Sequence, residues 1–165
     1  MIAPLDIVID EQEKTPWAWE PYLVATHVHS LVTADYALAC DCERVKGRKK
    51  LAVRFAIERK SLDDFLGTIS SGWERFEREL DRMELFPSRI VIVEGNFEQC
   101  CFVEDRNGLE APEHNHPCLT PQFVASRIAT LALANVSVLF AGNAYLAAGI
   151  AYRIFAKRDE QCRLT

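Results

Sequence analysis

Two carboxylates and an ammonium, Asp35, Glu58 and Lys60, stand where a single β-hairpin would turn them to one face. Residues 35–42 and 51–59 read as strands, and Lys46-Gly47 between them is turn chemistry. With the turn centred there, opposed residues have numbers that sum to 93. Tyr36 then faces Ile57, Leu38 faces Phe55, Cys40 faces Val53 and Cys42 faces Leu51, apolar against apolar throughout. The same register sets Asp35 opposite Glu58 on the other face, and Lys60, two residues on, points the same way. Ala37, Ala39, Ala52 and Ala56 share that face and are small, which leaves room above it. Two hard carboxylates from separate strands can hold Mg2+ while leaving positions for water and phosphate. A lysine beside them can orient the attacking water or donate to phosphate oxygens. The bland alternative is a solvated Asp/Glu/Lys ion-pair cluster.

Eight basic residues lie between positions 44 and 60 (Arg44, Lys46, Arg48, Lys49, Lys50, Arg54, Arg59 and Lys60) against one acid, Glu58. Such a run can grip a phosphate backbone, or it can be a turn charged for solubility. The net charge of −5 argues against a general nucleic-acid coat protein, so any DNA contact must be local. At 165 residues the chain is most simply one domain with one good core. The N-terminus has no basic region followed by an apolar run, and no apolar stretch is long enough to span a bilayer. A soluble, intracellular protein is expected, with its six cysteines reduced and no membrane partner. Cys40 and Cys42 are expected on the apolar strand face as small hydrophobes.

The elements that would position these residues follow from periodicity and capping. Residues 5–10 alternate and form a strand ending in Asp10, and residues 22–28 form a second short strand. Ser61-Leu-Asp-Asp64 and Ser71-Gly-Trp-Glu74 both have capping-box spacing. The second opens a helix with Trp73, Phe76, Leu80 and Met83 on one face, ended by Pro87. Residues 89–93 are a buried strand. Thr120-Pro121 starts a helix reaching about Asn135, residues 136–140 form a strand, and a last helix runs from about Asn143 to Glu160. This order predicts an α/β fold, a mixed central β-sheet flanked by α-helices.

Ile57-Glu-Arg-Lys-Ser-Leu-Asp-Asp-Phe65 resembles the Glu-Arg-Lys-x-x-x-Asp motif of the XPF/Mus-type structure-specific nucleases, in the restriction-endonuclease-like superfamily. Ile7-Val-Ile-Asp10 with Glu13 resembles the family's first strand and Asp-x-Arg-Glu. Ala34-Asp-Tyr-Ala-Leu38 resembles its Gly-Asp-Tyr segment, and Ile69-Ser-Ser-Gly-Trp-Glu-Arg-Phe76 its glycine and following helix. Thr15-Pro-Trp17 and Arg75-Phe-Glu-Arg-Glu-Leu80 look most like small stand-alone members from phages and prophages. The resemblance implies a restriction-endonuclease-like core, with the motifs in about residues 5–95 and C-terminal helices in about 120–160 of one nuclease domain, 1–165. It implies Asp35 and Glu58 as ligands of Mg2+ or Mn2+, Lys60 as the catalytic lysine, Arg59 as organiser of the site and Asp10 as an acidic neighbour. Glu13 is carried over with Asp10, while Asp64 matches the motif's last acid and is also the capping partner of Ser61. DNA, gripped by Arg44, Lys46, Arg48, Lys49, Lys50 and Arg54, is the implied partner, cut at branched or single-strand/duplex boundaries. A homodimer is implied by analogy, with no small-molecule cofactor, in the cytoplasm (the host's, if phage-encoded). Gln12 stands where the family has arginine and Ala34 where it has glycine.

Three other groups are weaker. His114, His116 and Cys118, with Cys100 and Cys101, match no common zinc spacing. His27 and His29 alternate on a strand and face solvent or substrate. Trp17, Trp19 and Tyr22 either stack on bases or lid the core. The competing functions are a catalytically inactive nuclease-fold module that binds DNA or pairs with an active partner, and a plain protein-interaction domain.

Overall fold

The computed structural model describes residues 4–82, 88–100 and 119–164. In chain order it contains β1 (Leu5–Asp10), β2 (Val24–His29), β3 (Tyr36–Leu38), a 3₁₀ turn (Ala39–Asp41), β4 (Cys42–Glu43), β5 (Ala52–Val53) and β6 (Ala56–Ser61). Then follow α1 (Leu62–Ile69), α2 (Trp73–Arg82), β7 (Arg89–Glu94), α3 (Phe97–Cys100), α4 (Pro121–Leu133), β8 (Val136–Phe140) and α5 (Ala144–Cys162). Six strands form one mixed sheet in the order β2-β1-β3-β6-β7-β8. The central pairs β1–β3 and β3–β6 are antiparallel, and the outer pairs are parallel.

Alternation along the strands decides the layers. Ile7, Ile9, Tyr36, Ile57, Ile90 and Ile92 face one side and pack on Ala147, Ala151 and Phe155 of α5. Val91, Val93 and Val136 face the other side, against Phe65, Ile69, Phe76, Val124 and Leu131 of α1, α2 and α4. Each of the fully buried large side chains, such as Phe65 and Phe155, stabilises by about 1.5–3 kcal/mol on burial. The caps are as the residue types demand. Ser61 Oγ accepts from the Asp64 amide at 3.1 Å, Thr120 Oγ1 from Phe123 at 3.2 Å, and Asn143 Oδ1 from Leu146 at 2.9 Å. At α2 the helix begins at Trp73, so Gly72 rather than Ser71 precedes its first turn. Met83, Pro87, Cys101, His114, His116 and Cys118 lie outside the described residues. The short helix α3 was not expected from the sequence.

The hairpin differs from expectation in one respect. Tyr36 pairs with Ile57 and Ala37 with Ala56, in the expected register. Farther out, Cys42 pairs with Val53 and Glu43 with Ala52, where the numbers sum to 95. The 3₁₀ turn absorbs the two extra residues, and β4–β5 becomes a separate two-stranded ribbon. Cys40 is therefore exposed at a corner instead of lying on an apolar strand face, and Cys42 is half-buried. The space above Ala37 and Ala56 is also filled, because Leu31, Ala34 and Leu51 pack on them. Among the described residues, no helix is long and apolar enough to cross a membrane.

Candidate active site

Asp35 is delivered to the site by backbone geometry. Ala34, just before it, is buried in the left-handed region at φ 63°, a conformation that favours glycine. This explains physically why the resembling motif has glycine there. The Asp35 amide donates to the Ile57 carbonyl at 3.2 Å, and the Asp35 carbonyl accepts from the Asp10 amide at 2.8 Å. The Asp35 carboxylate in turn accepts from the Arg59 amide at 2.7 Å. Glu58, in the neighbouring strand β6, shares its face with Lys60, whose Nζ donates to Glu58 Oε1 at 2.5 Å. Asp35, Glu58 and Lys60 line a cleft of about 350 Å³, together with Glu13, Thr15 and Asp64. A second polar cleft continues from Lys60 and Asp64 past Ser71 and Arg75.

Burial, and then the charge of Glu58, push the Asp35 carboxyl up to about 8. Burial also raises Glu58, against the pull of Lys60. Burial opposes the Lys60 charge, but Glu58 outweighs it and the ammonium is held above its ordinary value. Two carboxylates, buried Glu58 and half-buried Asp35, thus face a single ammonium. This donor set suits a hard divalent cation: oxygen ligands on separate strands, with a Lys60 ammonium already standing against Glu58.

Arg59 works from the opposite face of the sheet. Its Nε and Nη2 donate to the two Glu94 oxygens at 2.7 and 3.0 Å, and its Nη1 to Glu13 Oε1 at 2.9 Å and the Thr15 carbonyl at 2.9 Å. Glu94 raises the Arg59 guanidinium above its ordinary value. Trp17 Nε1 donates to Glu94 Oε1 at 2.5 Å, and the Trp17 ring stacks on Tyr36 at 4.4 Å between centroids. Trp17 and Trp19 are buried, so these rings lid the core. Sequence reasoning missed Glu94. Its available signal was a carboxylate closing a buried strand that pairs with the Glu-Arg-Lys strand.

The remaining expected residues divide. Glu13 lines the cleft and braces Arg59. Asp64 lines the cleft, and its carboxylate accepts from Ser61 Oγ at 2.7 Å at the start of α1. Asp10 turns into the backbone: Oδ1 accepts from the Leu31 amide at 2.7 Å and Oδ2 from the Gln12 amide at 3.2 Å. Gln12 itself is exposed at the cleft. Arg44, Lys46, Arg48, Lys49, Lys50 and Arg54 are all exposed on or beside the ribbon, whose turn has Gly47 at φ 83°. His27 and His29 are exposed, and His27 Nε2 lies 2.8 Å from Asp6.

The six-stranded mixed sheet flanked by helices is a restriction-endonuclease-like α/β fold. The chain belongs to the ERCC4 domain family, whose model matches residues 9–154. Its fold is similar to that of XPF from Aeropyrum pernix, at 18% identity and a TM-score of 0.61, over 94% of this chain and 65% of that one. It is similar also to XPF from Aeropyrum pernix in complex with DNA, at 18% identity and a TM-score of 0.64, over 98% of this chain and 68% of that one. The chain thus spans about two thirds of the length of those chains. No curated protein matched the chain in a sequence comparison.

Proposed function

We propose that this protein is a divalent-metal-dependent DNA endonuclease that hydrolyses phosphodiester bonds at branched or single-strand/duplex boundary DNA. The observation that carries the reading is the convergence of buried Glu58 with half-buried Asp35 and Lys60 on one cleft. Membership of the ERCC4 domain family supports it, and a DNA complex of a similarly folded protein supports DNA as the ligand. Asp35 and Glu58 would hold Mg2+ or Mn2+, which lowers the pKa of bound water and offsets charge gathering on the phosphate. Lys60 donates to a non-bridging phosphate oxygen and orients the water. As the water oxygen bonds to phosphorus, the bond to one ester oxygen breaks. Arg59, braced by Glu13 and Glu94, keeps Asp35 at its station through the backbone amide. Arg44, Lys46, Arg48, Lys49, Lys50 and Arg54 hold the duplex backbone by charge. Residues 1–165 act as one nuclease domain, working as a homodimer in the cytoplasm, as a small phage-type member would.

The test is cleavage of labelled duplex, flap and forked DNA with Mg2+ or Mn2+, comparing wild type, Lys60→Ala and Asp35→Asn. Metal-dependent cutting that is lost in both variants supports the enzyme. Binding without cutting in wild type overturns it in favour of a non-catalytic DNA-binding module.

A further inference from the structure

A second group of ligand-bearing side chains lies outside the carboxylate cleft. Cys40 and Asp41, in the 3₁₀ turn after β3, meet Cys162, the last residue of α5, with one ligand atom of each within 4.8 Å of the others. Asp41 is fully buried, and its Oδ2 lies 3.9 Å from Cys162 Sγ across 121 positions of sequence. Arg158, one helical turn before Cys162, grips the same carboxylate, Nε to Oδ2 at 2.9 Å and Nη2 to Oδ1 at 2.7 Å. The corner is held rigid from the other side. The Arg54 amide donates to the Asp41 carbonyl at 2.9 Å, and Arg54 Nη2 to the Cys40 carbonyl at 2.8 Å.

The geometry points to a thiophilic divalent cation, zinc by preference, bound by Cys40 Sγ, Cys162 Sγ and Asp41 Oδ2 with water in the fourth position. Tetrahedral zinc with bonds of about 2.0–2.3 Å wants its ligands about 3.5–3.8 Å apart, so a small rotamer adjustment closes this site. On binding, two thiol protons leave to solvent, and two zinc–sulfur bonds and one zinc–oxygen bond replace zinc–water bonds. Two thiolates and a carboxylate carry −3, which zinc and Arg158 neutralise to zero. Without metal the site is also neutral, with thiols and an Arg158–Asp41 pair, so either state is compatible with burial of Asp41. The exposed side of Cys40 gives the ion access and leaves room for the water. Thiolate ligands select against Mg2+ and Mn2+, so this site and the carboxylate cleft take different metals. Filled, it clips the end of α5 to the turn that follows the Asp35-bearing strand.

The test is Co2+ titration of the full chain under reducing conditions, with Mg2+ in excess to occupy oxygen sites. The expected result is a near-ultraviolet thiolate-to-cobalt charge-transfer band and strong visible bands, saturating at one ion per chain and bleached by zinc. Both are lost in Cys40→Ser and in Cys162→Ser and kept in Cys42→Ser. Cys40 is exposed, so its variant should fold, as circular dichroism would check. Absence of the charge-transfer band in wild type overturns the proposal. So does a band that survives Cys40→Ser, which would move thiolate ligation to other cysteines of the chain.

Discussion

Arg59 and Glu94 form a two-pronged ion pair on the face of the sheet opposite Lys60. The pair braces the strand whose Arg59 amide holds the Asp35 carboxylate. Glu94→Gln keeps the shape and one acceptor for Trp17 but removes the charge. We expect single-turnover cleavage to fall about 10–100-fold, as for other residues that orient ligands from behind. DNA affinity should stay unchanged, which a binding isotherm checks. An equal fall in affinity would show that Arg59 touches DNA instead.

The raised Asp35 carboxyl should make the stability of the protein pH-dependent. Its folded-state pKa of about 8 lies well above the ordinary carboxylate value near 4. Between those values the folded protein keeps a proton that the unfolded chain has released. The stabilising contribution is therefore complete below about pH 4 and is lost as pH rises toward 8. Asp35→Asn should flatten this slope and raise the melting temperature near pH 8, by about 2–4 °C per kcal/mol relieved. A cation bound at Asp35, as proposed, would displace that proton. Mn2+ affinity should therefore climb with pH and level off above about 8, readable by calorimetry at several pH values.

Ala34 tests the backbone immediately before Asp35. Ala34→Gly relieves a left-handed cost of about 1–2 kcal/mol but loses a buried methyl and gains unfolded-state freedom, so it should be neutral within about 1 kcal/mol. Ala34→Val places a branched side chain at positive φ and should destabilise by about 2 kcal/mol or more. Urea unfolding midpoints distinguish the two.

The basic turn should act through charge alone. Replacing Lys46, Lys49 and Lys50 with alanine should weaken DNA binding for every sequence alike. The slope of log K against log salt should drop by about 0.9 for each phosphate that the turn no longer neutralises. An unchanged slope would mean that the turn is charged only for solubility.

Much of this arrangement was legible because the strands are strongly patterned. β1 and β8 begin and end where alternation of branched residues does, and Ser61, Thr120 and Asn143 mark their helices by side-chain chemistry. The inner hairpin register was readable from Tyr36 against Ile57. The outer register was not, because an alternating run of small and apolar residues does not reveal that two of them leave the strand in a 3₁₀ turn. Glu94 was hidden for a different reason. Its partner is 35 positions away, and its meaning comes only from the parallel pairing of β6 with β7. Asp10 stood in a legible strand, but which way its carboxylate turns depends on the Leu31 amide, 21 positions on.

The change of register within the hairpin has a mechanical consequence. An unbroken hairpin would behave as one beam, and a torque applied at its lysine-rich tip would twist Asp35 against Glu58. Here the ladder stops at Ala37–Ala56 and resumes at Cys42–Val53, and the turn between them interrupts the beam. Arg54 and Arg158 instead pin that turn through Cys40 and Asp41, so the ribbon is braced by α5 as well as by its own strands. Load on the tip is thereby passed to the helix, and not along the ladder that spaces Asp35 from Glu58.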